Sequence, residues 1–276
     1  MGLRPPARGR RALVSMTPRP MFCLAVCELG APLEREEEAI AAVLGVTAYD
    51  VRIRLGGVLP RIMAQREDVA STLAFAEALR KRGHGAIVFD TNDALALERM
   101  RLMRRFGVEG ETLFANDGAP PGRPLTDLVA IVHASLDVSV VRTTREVVLR
   151  ATGRGTARSE EKRTVTERSL EKIAVLFWRA GEPWLLRQSE ARYVALGSDL
   201  RSTNSQNFEL AVEWLRARSP AAVYDRRFVA SPLTPQRAVP VRDAEQARSL
   251  SSDRSVELTL HALGAWLSRE RAGPYR

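Results

Sequence analysis

His133, Ser135 and Asp137 are the three side-chain types of a hydrolytic triad: a base, a nucleophile and an orienting acid. A triad needs those groups to converge within hydrogen-bond reach. Here they alternate with Val132, Ala134 and Leu136 in what reads as one half-buried strand, so neighbours stand about 6.6 Å apart and parallel, on the solvent face. No glycine-flanked nucleophile elbow accompanies them. Gly153 and Gly155, in ATGRGTAR, lack the preceding strand and the following Lys and Ser or Thr that a phosphate cradle requires, and read as a loop. Glu34, Glu36, Glu37 and Glu38 open a helix, where the dipole favours acids without any acid–base role. Metal binding asks for three or four ligands at paired spacing, and His84, His133, His261, Cys23 and Cys27 are scattered along the chain. His84, just past a helix end between Gly83 and Gly85, is placed to meet the terminal carbonyls. No catalytic residue, cofactor-binding residue or metal ligand is assigned, and the expectation is a protein that is not an enzyme and needs no cofactor.

The elements that carry these residues follow from length and pattern. A chain of 276 residues with 45% apolar composition is long enough for two cores. No apolar run approaches the roughly 18 residues of a membrane span, and the arginine-rich start has no apolar stretch behind it to make a secretory signal. Cys23 and Cys27, four residues apart in a β-like run, place their Cα atoms about 13 Å apart, too far to bridge. They predict reduced core thiols in a cytoplasmic protein. The formal net charge is +9, but residues 31 to 117 hold 12 basic against 14 acidic side chains, and only 3 of the 42 basic residues are lysines. Arginine with alanine, glycine and proline is also what GC-rich coding gives, consistent with a bacterial source.

Residues 1–20 hold five arginines and no acid and predict a disordered basic arm, with Met16 or Met21 as alternative starts. From residue 21 to 115 the pattern predicts a strand at Phe22–Cys27, a helix carrying Leu33, Ile40, Val43 and Leu44, and a Thr47-capped helix with Val51 and Leu55. A strand near Leu59–Ala64, a helix over Leu73–Leu79 stopped by Gly83, a strand at Ala86–Phe89 and a helical piece over Leu95–Phe106 follow. The Gly- and Pro-rich residues 116–124 read as a linker. Residues 125–229 predict an antiparallel β module, similar in outline to bacterial pleckstrin-homology-like domains. It comprises a strand over Leu125–Val141, a solvated flexible loop or long exposed hairpin over 142–172, a hairpin tip at Ala180–Pro183, and a closing helix over Asn207–Ala217. Residues 230–252 read as a second linker and 253–272 as a C-terminal helix. The fold class is therefore α+β: a small β-α-α-β-α-β sandwich, an antiparallel β module closed by a helix, and a C-terminal helix.

The stretch from Phe22 to Phe89, including AIAAVLGVTAYDVRIRLGGVLPRIMAQREDVASTLAFAEALRKRGHGAIVFD, resembles the C-terminal domain of the ribosomal stalk protein, whose fold is shared with the adaptor of the Clp protease. The resemblance implies a protein-binding module. Ribosomal members use a basic helical face to touch translation factors, whereas the first helix here presents Glu34, Glu36, Glu37 and Glu38.

Two apolar features are the candidate partner-binding groups: Trp178 and Trp184 flanking the hairpin tip, and Leu260, Leu263, Trp266 and Leu267 on the terminal helix. They predict a non-catalytic interaction or adaptor protein that binds another protein or a second copy of itself. The alternative is a nucleic-acid-associated regulator using the basic arm and the 142–172 segment, although neither contains the aromatic groups on which bases stack. No small-molecule substrate is identified.

Overall fold

The computed structural model describes residues 20–116, 120–152, 155–233 and 252–272. The basic arm, apart from Pro20, and most of the 230–252 segment lie outside these residues.

The first unit runs β1 (Phe22–Glu28), α1 (Leu33–Leu44), α2 (Ala48–Leu55), β2 (Arg61–Arg66), α3 (Val69–Lys81), β3 (Gly85–Asp90), the order expected from sequence. Local chemistry sets the helix ends. Thr47 Oγ1 accepts from the Asp50 N–H at 3.1 Å while Asp50 Oδ2 accepts from the Thr47 N–H, a reciprocal cap on α2. The Asp68 carboxylate accepts from the N–H groups of Ala70 and Ser71 and starts α3. Gly45 (φ 69°) and Gly83 (φ 87°) supply the left-handed turns that follow α1 and α3. The strands form an antiparallel sheet in the order β2-β1-β3. Leu24 and Val26 face the three helices, meeting Ile40, Leu44, Val51 and Leu79, while Cys23, Ala25 and Cys27 point to the other side.

The chain then adds β4 (Arg101–Leu102), β5 (Gly107–Glu109), β6 (Thr112–Phe114) and β7 (Arg123–Pro124). Next come β8 (Leu128–Thr152), β9 (Gly155–Trp178), β10 (Trp184–Arg187), α4 (Asn204–Arg218), β11 (Val223–Arg226), α5 (Arg227–Ala230), β12 (Ser231–Leu233) and α6 (Ser252–Ala272). The second sheet runs β11-β8-β9-β10-β4. β8, β9 and β10 pair antiparallel as expected, with Gly181 (φ 82°) in the β9–β10 turn. β11, β12 and β4 join in parallel, so the sheet is mixed rather than purely antiparallel. β11 does so because α4 supplies the crossover that a parallel neighbour requires.

Three expectations change. The helix anticipated over Leu95–Phe106 is replaced by one short 3-10 turn, Leu97–Arg99, and β4. Leu97 and Met100 pack on one face of the second sheet and Met103 and Phe106 on the other, so this segment wraps around the sheet edge, a path a straight helix cannot follow. With it, residues Leu97 to Ala115 share cores with the second sheet, although sequence groups them with the first module. The 116–124 linker is also partly structured, since Arg123 in β7 pairs with Leu113.

The third change concerns α6, which is an internal layer rather than an appended helix. Leu258 and Ala262 lie against Cys23, Ala25 and Ile87 of the first sheet. Val256, Leu260, Leu263 and Leu267 lie against Ala130, Val132, Ile173 and Val175 of the second. The layers are therefore α1–α3, first sheet, α6, second sheet, α4. Arg227 and Arg254 fasten the joints. Arg227 pairs with Asp225 and donates to the carbonyls of Leu59 (3.1 Å) and Cys27 (3.4 Å). Arg254 donates to the carbonyls of Ala94 and Thr91 and to Glu257, whose other oxygen accepts from the Leu97 N–H.

Candidate functional site

The candidate partner-binding groups mostly serve the chain's own core. Leu260 and Leu263 are fully buried and Leu267 nearly so, because they face the second sheet. Trp178 and Trp184 are buried too, packed edge to face at 4.9 Å in the core that α4 closes, with the guanidinium of Arg123 over both rings. Trp266 is half-buried over Gly85, where an added Cβ would come within 2.8 Å of the indole. Sequence marked these residues as large and apolar, and α6 as the layer between two sheets explains why they are inside. The exposed apolar groups lie elsewhere: Tyr49 and Ile53, one turn apart on α2, are 67% and 62% exposed.

The histidines depart from expectation as well. His84 turns back into the first unit instead of capping carbonyls with its ring. Its Nδ1 accepts from the Gly30 N–H at 3.2 Å, and Nε2 sits 3.2 Å from Glu36, whose other partner is Arg82. The hydrogen bond from Arg82 holds the Glu36 carboxyl below its ordinary range. Glu37 likewise pairs with Arg52. The acidic face of α1 is thus engaged internally.

His133 and Ser135 are buried, although the alternation assigned them to solvent. The reason is that two later helices cover that face: Phe208 of α4 lies 5.3 Å from the His133 ring, and Ser135 Oγ donates to the Val229 carbonyl of α5. His133 Nδ1 meets the Tyr224 hydroxyl at 3.0 Å. Its Nε2 makes no hydrogen bond and lies 4.0 Å from Glu209, which pairs with Lys172. Burial lowers the pKa of His133 and raises that of Tyr224. Tyr, His, Glu and Lys are acid–base groups, yet neither of two surface clefts, about 380 and 400 Å³, is lined by Tyr224, His133, Glu209 or Lys172. The His133 ring is buried under α4, while Glu209 and Lys172 reach the surface at its edge. Among the described residues no group of three His, Cys, Asp or Glu side chains is placed to hold a metal ion. Among the same residues no helix is long and apolar enough to cross a membrane.

The structural feature least expected from sequence lies in residues 142–172. Of the two forms anticipated there, loop or hairpin, the chain takes the second. β8 and β9 stay paired from Leu136↔Glu171 out to Thr152↔Gly155. β12 reaches β8 at Leu136 and β10 reaches β9 no further than Ile173, so beyond these points no third strand pairs with the ribbon among the described residues. At about 3.3 Å per residue the unflanked part is roughly 53 Å long. Its register sets Arg145 opposite Lys162 and Glu146 opposite Glu161. The β-branched runs Val138–Val141, Thr143–Thr144 and Val147–Val148 were the available signal for strands, obscured by charges spaced among them.

Comparison of the chain with protein-family models, with curated proteins and with solved structures finds no match to any of them.

Proposed function

We propose that this chain is a non-catalytic cytoplasmic binding protein that contacts another protein, or a second copy of itself, along the β8–β9 ribbon. The observation that carries the reading is the ribbon, whose two long strand edges pair with no further strand among the described residues and so offer a template for strand addition. Exposed Leu170 at its base extends that surface. The buried, unlinked thiols Cys23 and Cys27 support a reducing compartment. The β-α-α-β-α-β order of the first unit supports its likeness to stalk-protein and adaptor modules, which bind proteins.

Replacing residues 139–168 by an Asn-Gly turn tests the reading, because a two-residue turn can close the shortened hairpin. The expected result is loss of the captured partner, or of self-association by light scattering, with the thermal midpoint unchanged. Retention of the same partner and the same mass overturns it. A second reading is nucleic-acid binding, supported by the nine basic against five acidic residues of 142–172. That reading predicts salt-sensitive retention on DNA, lost in the shortened chain.

A further inference from the structure

β12 holds the outer edge of β8 as far as Leu136, and from there to Thr152 that edge pairs with no strand among the described residues. A two-stranded ribbon is marginal in water, and a stable sheet needs three or more strands. A second copy of the chain can supply them, and symmetry restricts how. When two identical strands pair antiparallel, the two-fold axis stands perpendicular to the sheet and each face maps onto itself. Residues that meet across the axis therefore share a face, so they are an even number of positions apart and the register centres on one residue.

Pairing that uses the whole edge, with the tip of each ribbon at the base of the other, leaves two centres, Thr144 and Arg145. A centre at Arg145 sets arginine against arginine. A centre at Thr144 sets Arg142 opposite Glu146 of the second copy and Glu146 opposite its Arg142. The same register sets Val140 opposite Val148, Val141 opposite Val147 and Thr144 opposite itself. Opposite charges, β-branched pairs and paired threonines are the cross-strand combinations that favour a sheet. The outer edge of β9 offers no equivalent: every centre from Glu160 to Val165 opposes like charges, from Glu160 against itself to Lys162 against Arg168.

We infer that the partner at the ribbon is a second copy of this chain, joined edge to edge along β8 about a two-fold axis at Thr144. The two ribbons then form one four-stranded sheet in the order β9-β8-β8-β9. This rests on the proposed reading of the ribbon as the contact surface and adds its partner, edge and register.

Light scattering and sedimentation on the full chain are expected to give twice the chain mass, with Arg142→Glu and Glu146→Arg each weakening association at least about tenfold. Combining the two reversals sets opposite charges across the axis again. The double variant should therefore return to within about threefold of the parent, a recovery that damage to the ribbon cannot give. A short bifunctional thiol reagent should join two copies of Thr144→Cys but not of Val138→Cys, whose positions lie about 40 Å apart across the axis. A monomeric parent, association indifferent to either reversal, no recovery in the double variant, or crosslinks at Val138→Cys with none at Thr144→Cys would each overturn the inference. A monomeric parent that still loses a captured protein when 139–168 is replaced by the turn ends the second-copy partner and leaves the ribbon as the contact. Unchanged partner and mass in the shortened chain end both.

Discussion

His133 is buried between the Phe208 ring and the Tyr224 hydroxyl, and burial lowers its pKa. His261, stacked at 4.7 Å on Phe89, is lowered by the same cause. In the unfolded chain both protonate near pH 6.5, whereas the folded chain resists, so between those values the unfolded state holds more protons. Stability present above pH 6.5 is therefore lost as pH falls below it. Glu209 at 4.0 Å works against the shift in His133, and Lys172 and Arg226 work with it. Urea denaturation of the parent is expected to show a lower midpoint at pH 5 than at pH 7.5. The drop should be smaller in His133→Gln, and an equal drop in that variant would remove His133 as a cause. At this scale sequence identified which residues could do chemistry but not where they face. Strand alternation reports two faces without saying whether a helix arrives later in the chain to cover the second, as α4 does for His133 and α5 for Ser135.

Elements bounded by local signals were legible: the Thr47 cap, Gly83 and the turn at Gly181 all act within a few residues of themselves. Elements set by distant partners were not. Leu97, Met100, Met103 and Phe106 recur every three residues, which mimics a helix stripe, yet they divide between the two faces of the sheet they wrap. α6 was legible as a helix but not as an interior layer. Its placement is close enough to be tested at Gly264, where a Cβ would fall 2.1 Å from the Phe177 ring. Gly264→Ala, which raises helix propensity by about 1 kcal/mol, should nonetheless lower stability, by about 1–3 kcal/mol net, through overpacking. Denaturant titration checks the sign, and a stabilised variant would place α6 elsewhere.

For the whole molecule, α6 makes the two sheets one thermodynamic unit, since its removal would strip cover from Cys23, Ala25 and Ile87 on one side and Val132, Ile173 and Val175 on the other. Calorimetry should show a single transition with matching calorimetric and van't Hoff enthalpies. Two separated transitions would mean that the sheets melt independently. Outside this unit runs the ribbon, whose strands pair with no third strand among the described residues, and the proposed reading places the contact there. The charges that disguised it in the sequence are the same feature that makes it unsuited to packing. Photo-crosslinking measures the contact directly, with a benzophenone side chain placed singly at Thr143, Leu149 and Ser159 on the ribbon and at Glu98 on the body in otherwise native chains. Adducts to one defined protein, or between two copies of the chain, from the ribbon positions and not from Glu98 are the predicted result. Nucleic-acid adducts, or protein adducts from Glu98 with none from the ribbon, would contradict it.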